Sequence, residues 1–178
     1  MRRPHTLLLI ALVYGLVDRG FPQEVPDVAS GGLARAAASA QEIGEIMGSV
    51  NPHLSPVARL RIGQAVVRSS HGNDLDPQLV AAIILVESGA RPWARSPKGA
   101  VGLMQVMPHM ARDLELGGNL TTVESNVEAG CWILADNIRR LGEDDGISAY
   151  FWGSDIRGVA YLDRVRAARA AVRRLVES

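Results

Sequence analysis

The sequence predicts an all-α fold, on three observations. Apolar residues recur three and four apart along most of the chain after residue 40. Segments open on cap-and-proline pairs such as Ser55-Pro56 and Asp76-Pro77 and stop at glycine. No run of useful length alternates apolar with polar residues, so strands have no support beyond a minor β-hairpin in the loop from Ser96 to Val101. A hydrophobic fraction of 47% in 178 residues suffices for one core and one domain. Net charge is zero, which gives no sign of a nucleic-acid partner or of an electrostatic grip on an anionic membrane.

Residues 1–20 read as a signal peptide or a short retained anchor. Arg2 and Arg3 give a positive start, and Leu7 to Val17 is an eleven-residue apolar run, the length of a signal h-region and short for a membrane span. Residues 21–40, with Pro22, Pro26, Gly31, Gly32 and then an alanine-rich stretch, read as a linker, and 41–178 as the folded domain. Ala38-Ser39-Ala40 has the shape of a cleavage site, though it lies well beyond the apolar run.

Within the domain, Gln41 to Val50 is expected to be helical with Ile43, Ile46, Met47 and Val50 on one side, and Asn51-Pro52 breaks it. Ser55-Pro56 opens a second helix, to about Ser70. Asp76 caps a third, with Pro77 in its first turn, Leu79, Ala82, Ile83 and Val86 on one face, and Gly89 as its stop. A helix from His109 to Leu116 is stopped by Gly117-Gly118. Thr121 or Thr122 caps the next, whose stripe Val123, Val127, Cys131, Leu134, Ile138, Leu141 is sustained; Gly130 within it predicts close approach of another backbone. Glu143 to Gly146 reads as a solvated acidic turn and Ile147 to Trp152 as a short helix or turn. The last helix runs from about Val159 to Val176 with Leu162, Val165, Ala168, Val172 and Leu175 inward. Cys131, the one cysteine, excludes an internal disulfide and reads as a buried, inert thiol. His53 and His71 lie in breaks with no second ligand at metal spacing, so neither metal nor cofactor is expected.

The chemistry concentrates between Val86 and Pro108. Glu87 lies four residues after Ile83 and eight after Leu79, on the row that faces the core. Burial there would raise its pKa and suit it to general acid work, whereas a frayed helix end would leave it an ordinary surface carboxylate. A loop follows, Pro92-Trp93-Ala94-Arg95-Ser96-Pro97-Lys98-Gly99, and then the apolar run Gly102-Leu103-Met104-Gln105, which carries a single amide.

Glu87-Ser88-Gly89, Pro92, Ala94, Ser96-Pro97-Lys98-Gly99-Ala100 and Gly102-Leu103-Met104-Gln105-Val106-Met107-Pro108 together resemble the signature of the soluble-type lytic transglycosylases (the SLT domain). These are peptidoglycan-cleaving enzymes with a lysozyme-like helical domain related in fold to goose-type lysozyme. Asn126-Val127-Glu128-Ala129-Gly130 resembles the family's following helix. Ala149-Tyr150-Phe151-Trp152-Gly153 stands where the family has Ala-Tyr-Asn-Ala-Gly, and Tyr161-Leu162-Asp163-Arg164-Val165 resembles its closing helix. The resemblance spans about residues 73–170, and its first block is the specific one. Three positions depart: Arg91 stands where an asparagine usually precedes the proline, and Phe151-Trp152 replaces Asn-Ala, which predicts a reshaped or narrowed cleft.

The resemblance implies that Glu87 acts first as acid and then as base. It protonates the oxygen between N-acetylmuramic acid and N-acetylglucosamine, then takes the proton of the muramic C6 hydroxyl as a 1,6-anhydro ring closes. In keeping with one carboxylate doing both jobs, Asp113, Asp136, Asp155 and Asp163 read as surface groups. The implied substrate-binding set is Ser96, Met104, Gln105, Met107 and Tyr150, with the Tyr150 hydroxyl pointing at Glu87. Core filling is the competing reading for the methionines and for Tyr150. Trp93 and Trp152 are further groove candidates. The implied partners are peptidoglycan glycan strands and, for small relatives, a secretion or conjugation apparatus, in the periplasm or cell envelope. A hydrolysing muramidase and a non-catalytic glycan-binding protein on the same fold are the alternatives.

Overall fold

The computed structural model describes residues 40–113 and 115–177. The leader or anchor expected at 1–20 and the linker at 21–40 lie outside the described residues, but for Ala40. Among the described residues the chain is helical: α1 (40–50), α2 (Pro56–His71), α3 (Pro77–Ser88), α4 (Pro108–Asp113), α5 (Val123–Leu141), α6 (Glu143–Trp152) and α7 (Ala160–Val176). The all-α expectation therefore holds. The expected hairpin is reduced to two isolated antiparallel bridges, Arg95 with Val101 and Val101 with Val106. Among the described residues no helix is long and apolar enough to cross a membrane.

The third helix is the axis of the core. Leu79, Val80, Ala81, Ala82, Ile83 and Ile84 are all buried, so α3 is enclosed on every side and not along a single face. It packs against α2 and α7, while α5 packs against α2 and α6, and α6 against α7. Complete burial of each Ile or Leu here is worth roughly 1.5–3 kcal/mol. Asp76 fixes where the helix starts: one carboxylate oxygen accepts the Gln78 N–H at 2.9 Å, while the other accepts Arg169 from α7 at 2.7 Å. The other expected caps also form, Ser55 accepting from Ala58 and Thr122 from Ser125.

Several elements differ from expectation, each for a local reason. Glu143-Asp144-Asp145 is no loose turn but the first turn of α6, where negative charge suits the helix N-terminus; Glu143 and Asp144 accept from Arg169 and Arg166 of α7. Gly146 fits there because a Cβ would collide with the Ile138 backbone of α5. The neighbour that requires Gly130 is a side chain, Met104, and not a backbone. α4 stops at Asp113, and Glu115 beyond it has φ of 53°. Val50, Leu141 and Leu175, counted as inward, are exposed: each lies at or next to the last residue of its helix.

Candidate active site

Glu87 is the penultimate residue of α3, so the helix that anchors the core delivers it to the surface of a cleft. Gly89, in the left-handed region at φ 58°, ends the helix, and Ala90 repeats that conformation at φ 58°. A left-handed alanine costs about 1 kcal/mol. It is held by Asn51, whose side-chain amide donates to the buried Ala90 carbonyl at 2.9 Å.

The loop beyond is tied to itself and to α5. Ser96 exchanges backbone hydrogen bonds with Ala100 and Gly99, and its hydroxyl accepts the Ala100 N–H at 3.0 Å. Asn126 of α5 is fully enclosed beneath the Gly102–Gln105 turn: it accepts the Met104 N–H at 2.9 Å and donates to the carbonyls of Val101 at 2.8 Å and Leu120 at 3.0 Å. Gly102, at φ 79°, leaves the space Asn126 occupies. Gln105 takes φ 50° and donates both amide protons to backbone, at Ala94 and Gly102, which leaves its carbonyl oxygen as the acceptor it can offer.

These pieces enclose a cleft of about 790 Å³. Glu87, Ser96, Gln105, Met107 and Tyr150 line it, together with Lys98, Phe151, Trp152 and Arg157. Met104, expected in the substrate-binding set, is fully buried against Gly130 and serves through its backbone; its side chain belongs to the core. Trp93 is 66% exposed and outside the cleft.

A second correction concerns the phenol on the carboxylate. The Tyr150 hydroxyl donates to the Met104 carbonyl at 2.9 Å, and it is Tyr161, from α7, that donates to Glu87 Oε1 at 2.7 Å. Tyr150 rides on α6 beside the loop, whereas α7 packs along α3 and brings Tyr161 onto its end. Tyr161 had a signal in the sequence: it lies four residues before Val165 on the inward stripe of α7, and a buried phenol needs a partner for its hydroxyl. Asn51 and Asn126 gave less warning, since their partners are backbone carbonyls and amides distant in sequence.

Burial pushes the Glu87 carboxyl above its ordinary value; the Tyr161 hydrogen bond and the Arg164 charge pull the other way and do not cancel it. Burial and the Glu87 charge drive both phenols upward, so Tyr150 and Tyr161 stay protonated and Tyr161 must be the donor. Oε1 is engaged by the Tyr161 hydroxyl, which leaves Oε2 as the other carboxyl oxygen. A carboxyl held this way, protonated nearer to neutrality than a solvated one, can give a proton to a bound ether oxygen and take one back. Cys131, pushed up to about 12 by burial, takes no part. Among the described residues no three His, Cys, Asp or Glu side chains converge on a metal position.

Residues 65–161 match the family described as the transglycosylase SLT domain, which is more than half of the chain. Over 83 residues the chain is 36% identical to a transglycosylase of Enterobacteria phage PRD1, covering 46% of this chain and 31% of that one. It is similar too, at 35% identity over 83 residues, to the membrane-bound lytic murein transglycosylase F of Shewanella sp. (strain W3-18-1), covering 47% and 17%. The 70 kDa soluble lytic transglycosylase of Escherichia coli aligns with 80% of this chain and 28% of its own at 22% identity, with a TM-score of 0.48. In each case the match spans under a third of the relative's length.

Proposed function

This chain belongs to the transglycosylase SLT domain family, and from that membership we propose that it is a lytic transglycosylase of the cell envelope acting on peptidoglycan glycan strands. The observation that carries the mechanism is that, among the described residues, Glu87 is the one carboxylate lining the cleft. A hydrolase of the ordinary kind needs two, about 5–5.5 Å apart for retention or about 6.5–9.5 Å for inversion. A single carboxyl suffices when the substrate brings its own nucleophile.

In this reading Glu87 gives its proton to the leaving N-acetylglucosamine oxygen as the bond to muramic C1 breaks. The resulting carboxylate accepts the proton of the muramic C6 hydroxyl as that oxygen bonds to C1. A 1,6-anhydro ring closes, the carboxyl regains its proton, and no water is consumed. Tyr161 keeps Oε1 engaged throughout. This reading gives the Gln105 carbonyl oxygen and the Ser96 hydroxyl, both from the cleft lining, contacts to sugar hydroxyl or acetamido groups, and gives Met107 and Tyr150 the apolar wall. Opening the wall locally for a secretion or conjugation apparatus is a use of this activity that rests on the family resemblance alone.

Mass spectrometry of sacculi digested by the purified protein tests the reading. Anhydro-muropeptides support it, muropeptides with reducing ends assign a hydrolase, and no release at all leaves a glycan-binding protein.

A further inference from the structure

Phe151 stands where the family pattern noted above has asparagine, and its surroundings tie it to the acid. Its ring lies on that of Tyr161 with centroids 4.8 Å apart and planes 15° from parallel. Trp152 meets Phe151 edge-on at 4.9 Å and 87°. The Arg164 guanidinium sits 5.7 Å from the Tyr161 centroid and 6.0 Å from that of Phe151. Tyr161 is buried, yet Phe151 is 49% exposed and faces the cleft. The ring that gains little from its own burial is therefore the one that covers the phenol.

We propose that Phe151 is a positioning residue: stacked on Tyr161, it fixes the ring whose hydroxyl holds Glu87 Oε1. A phenol with one face uncovered regains freedom at both side-chain torsions, and a 2.7 Å hydrogen bond then becomes one arrangement among several. Arg164 braces the two rings from α7, next to the residues it steadies. Trp152 meets the edge of Phe151 and forms part of the cleft wall. The inference rests on Glu87 being the acid, as proposed above.

The test is a double-mutant cycle of Phe151→Ala with Tyr161→Phe, read by kcat, by KM and by the pH profile of muropeptide release. The titratable and charged groups around Glu87 are Tyr161 and Arg164 of α7, Tyr150 of α6, Lys98 of the loop after α3 and Arg157 of the loop after α6. None of these is removed by Phe151→Ala. We expect Phe151→Ala to lower kcat about tenfold, beyond any change in KM from its place in the cleft wall, and to move the alkaline limb upward as Tyr161→Phe does. In the Tyr161→Phe background the same substitution should cost less than about twofold, because what it steadies is already gone. Additive losses with an unmoved limb would overturn the proposal, since that is how a merely structural ring behaves. If Phe151→Ala does not fold, Phe151→Leu keeps apolar bulk without the flat stack, and the same expectations apply. Carbon-13 NMR titration of the Glu87 carboxyl across the four proteins reads the coupling independently of turnover. An inactive wild-type protein would sink the transglycosylase reading, while the NMR cycle would still decide whether Phe151 acts through Tyr161.

Discussion

At Glu87 the competition is between burial, which favours the neutral carboxyl, and the Tyr161 hydroxyl with Arg164, which favour the anion; burial wins. The consequence for stability has a definite sign. Below the unfolded value near 4.5 the group is protonated in both states and costs nothing. As pH rises through the higher folded value, ionisation in the folded protein becomes costly and stability is lost. Glu87→Gln removes that cost while its amide oxygen still accepts from Tyr161. The variant should therefore melt above wild type at neutral pH, with the gap closing toward pH 4.5, and should release no more than about a hundredth of the muropeptides. A variant that melts below wild type at pH 7 would mean the carboxylate is not desolvated. The two tyrosines separate in the same way. Tyr161→Phe removes a donor to the anion, so it should raise the alkaline limb of the rate profile and cut kcat about tenfold or more. Tyr150→Phe, which loses a bond to the Met104 carbonyl, should cost about 1 kcal/mol in urea unfolding and leave that limb in place. The motif around Glu87 was legible in the sequence because its residues are close in the chain. Which phenol reaches the carboxyl was not, because that depends on how α7 packs on α3, 74 positions away.

Among the elements, the helices were legible wherever a cap or a glycine marks an end: Ser55, Asp76, Thr122 and Gly89 each make or close the turn their residue type suggests. Periodicity was blind to where a helix itself ends, hence exposed Val50, Leu141 and Leu175, and to a carboxylate-rich first turn, hence α6 mistaken at its start. The turn from Gly102 to Gln105 was legible as a motif and opaque as a structure. Its shape depends on Asn126, which reaches across from α5 with three hydrogen bonds in a buried setting. Asn126→Leu takes the partner from the Met104 N–H and the donor from the Leu120 carbonyl, while the Val101 carbonyl keeps the Val106 N–H; each buried orphan costs about 1–3 kcal/mol. We expect a loss of about 2–4 kcal/mol in denaturant unfolding. Activity should fall even where the protein remains folded, because Gln105 and the floor beneath Tyr150 move with the turn. A loss below about 1 kcal/mol would show that water replaces the asparagine.

For the whole molecule, the cleft exists because α3 is locked to two helices far along the chain: α3 carries Glu87, α6 carries Tyr150, and α7 carries Tyr161. Arg169 on α7 links all three, with its guanidinium on Asp76 at the start of α3 and on Glu143 at the start of α6. Asp76 in turn divides its two oxygens between the Gln78 N–H and Arg169, so capping and cross-linking can be pulled apart by substitution. Asp76→Asn keeps an oxygen for the cap and loses the charge pair. At one-third exposure that pair is worth about 0.5–1 kcal/mol, and high salt should shrink the difference from wild type. Asp76→Ala loses the cap as well, a further cost of about 1 kcal/mol that salt cannot screen. Urea unfolding of both variants at low and high salt separates the two parts. If Asp76→Asn matches wild type at low salt, the α3–α7 junction is held by its apolar contacts, and the alignment of Tyr161 with Glu87 rests on packing alone.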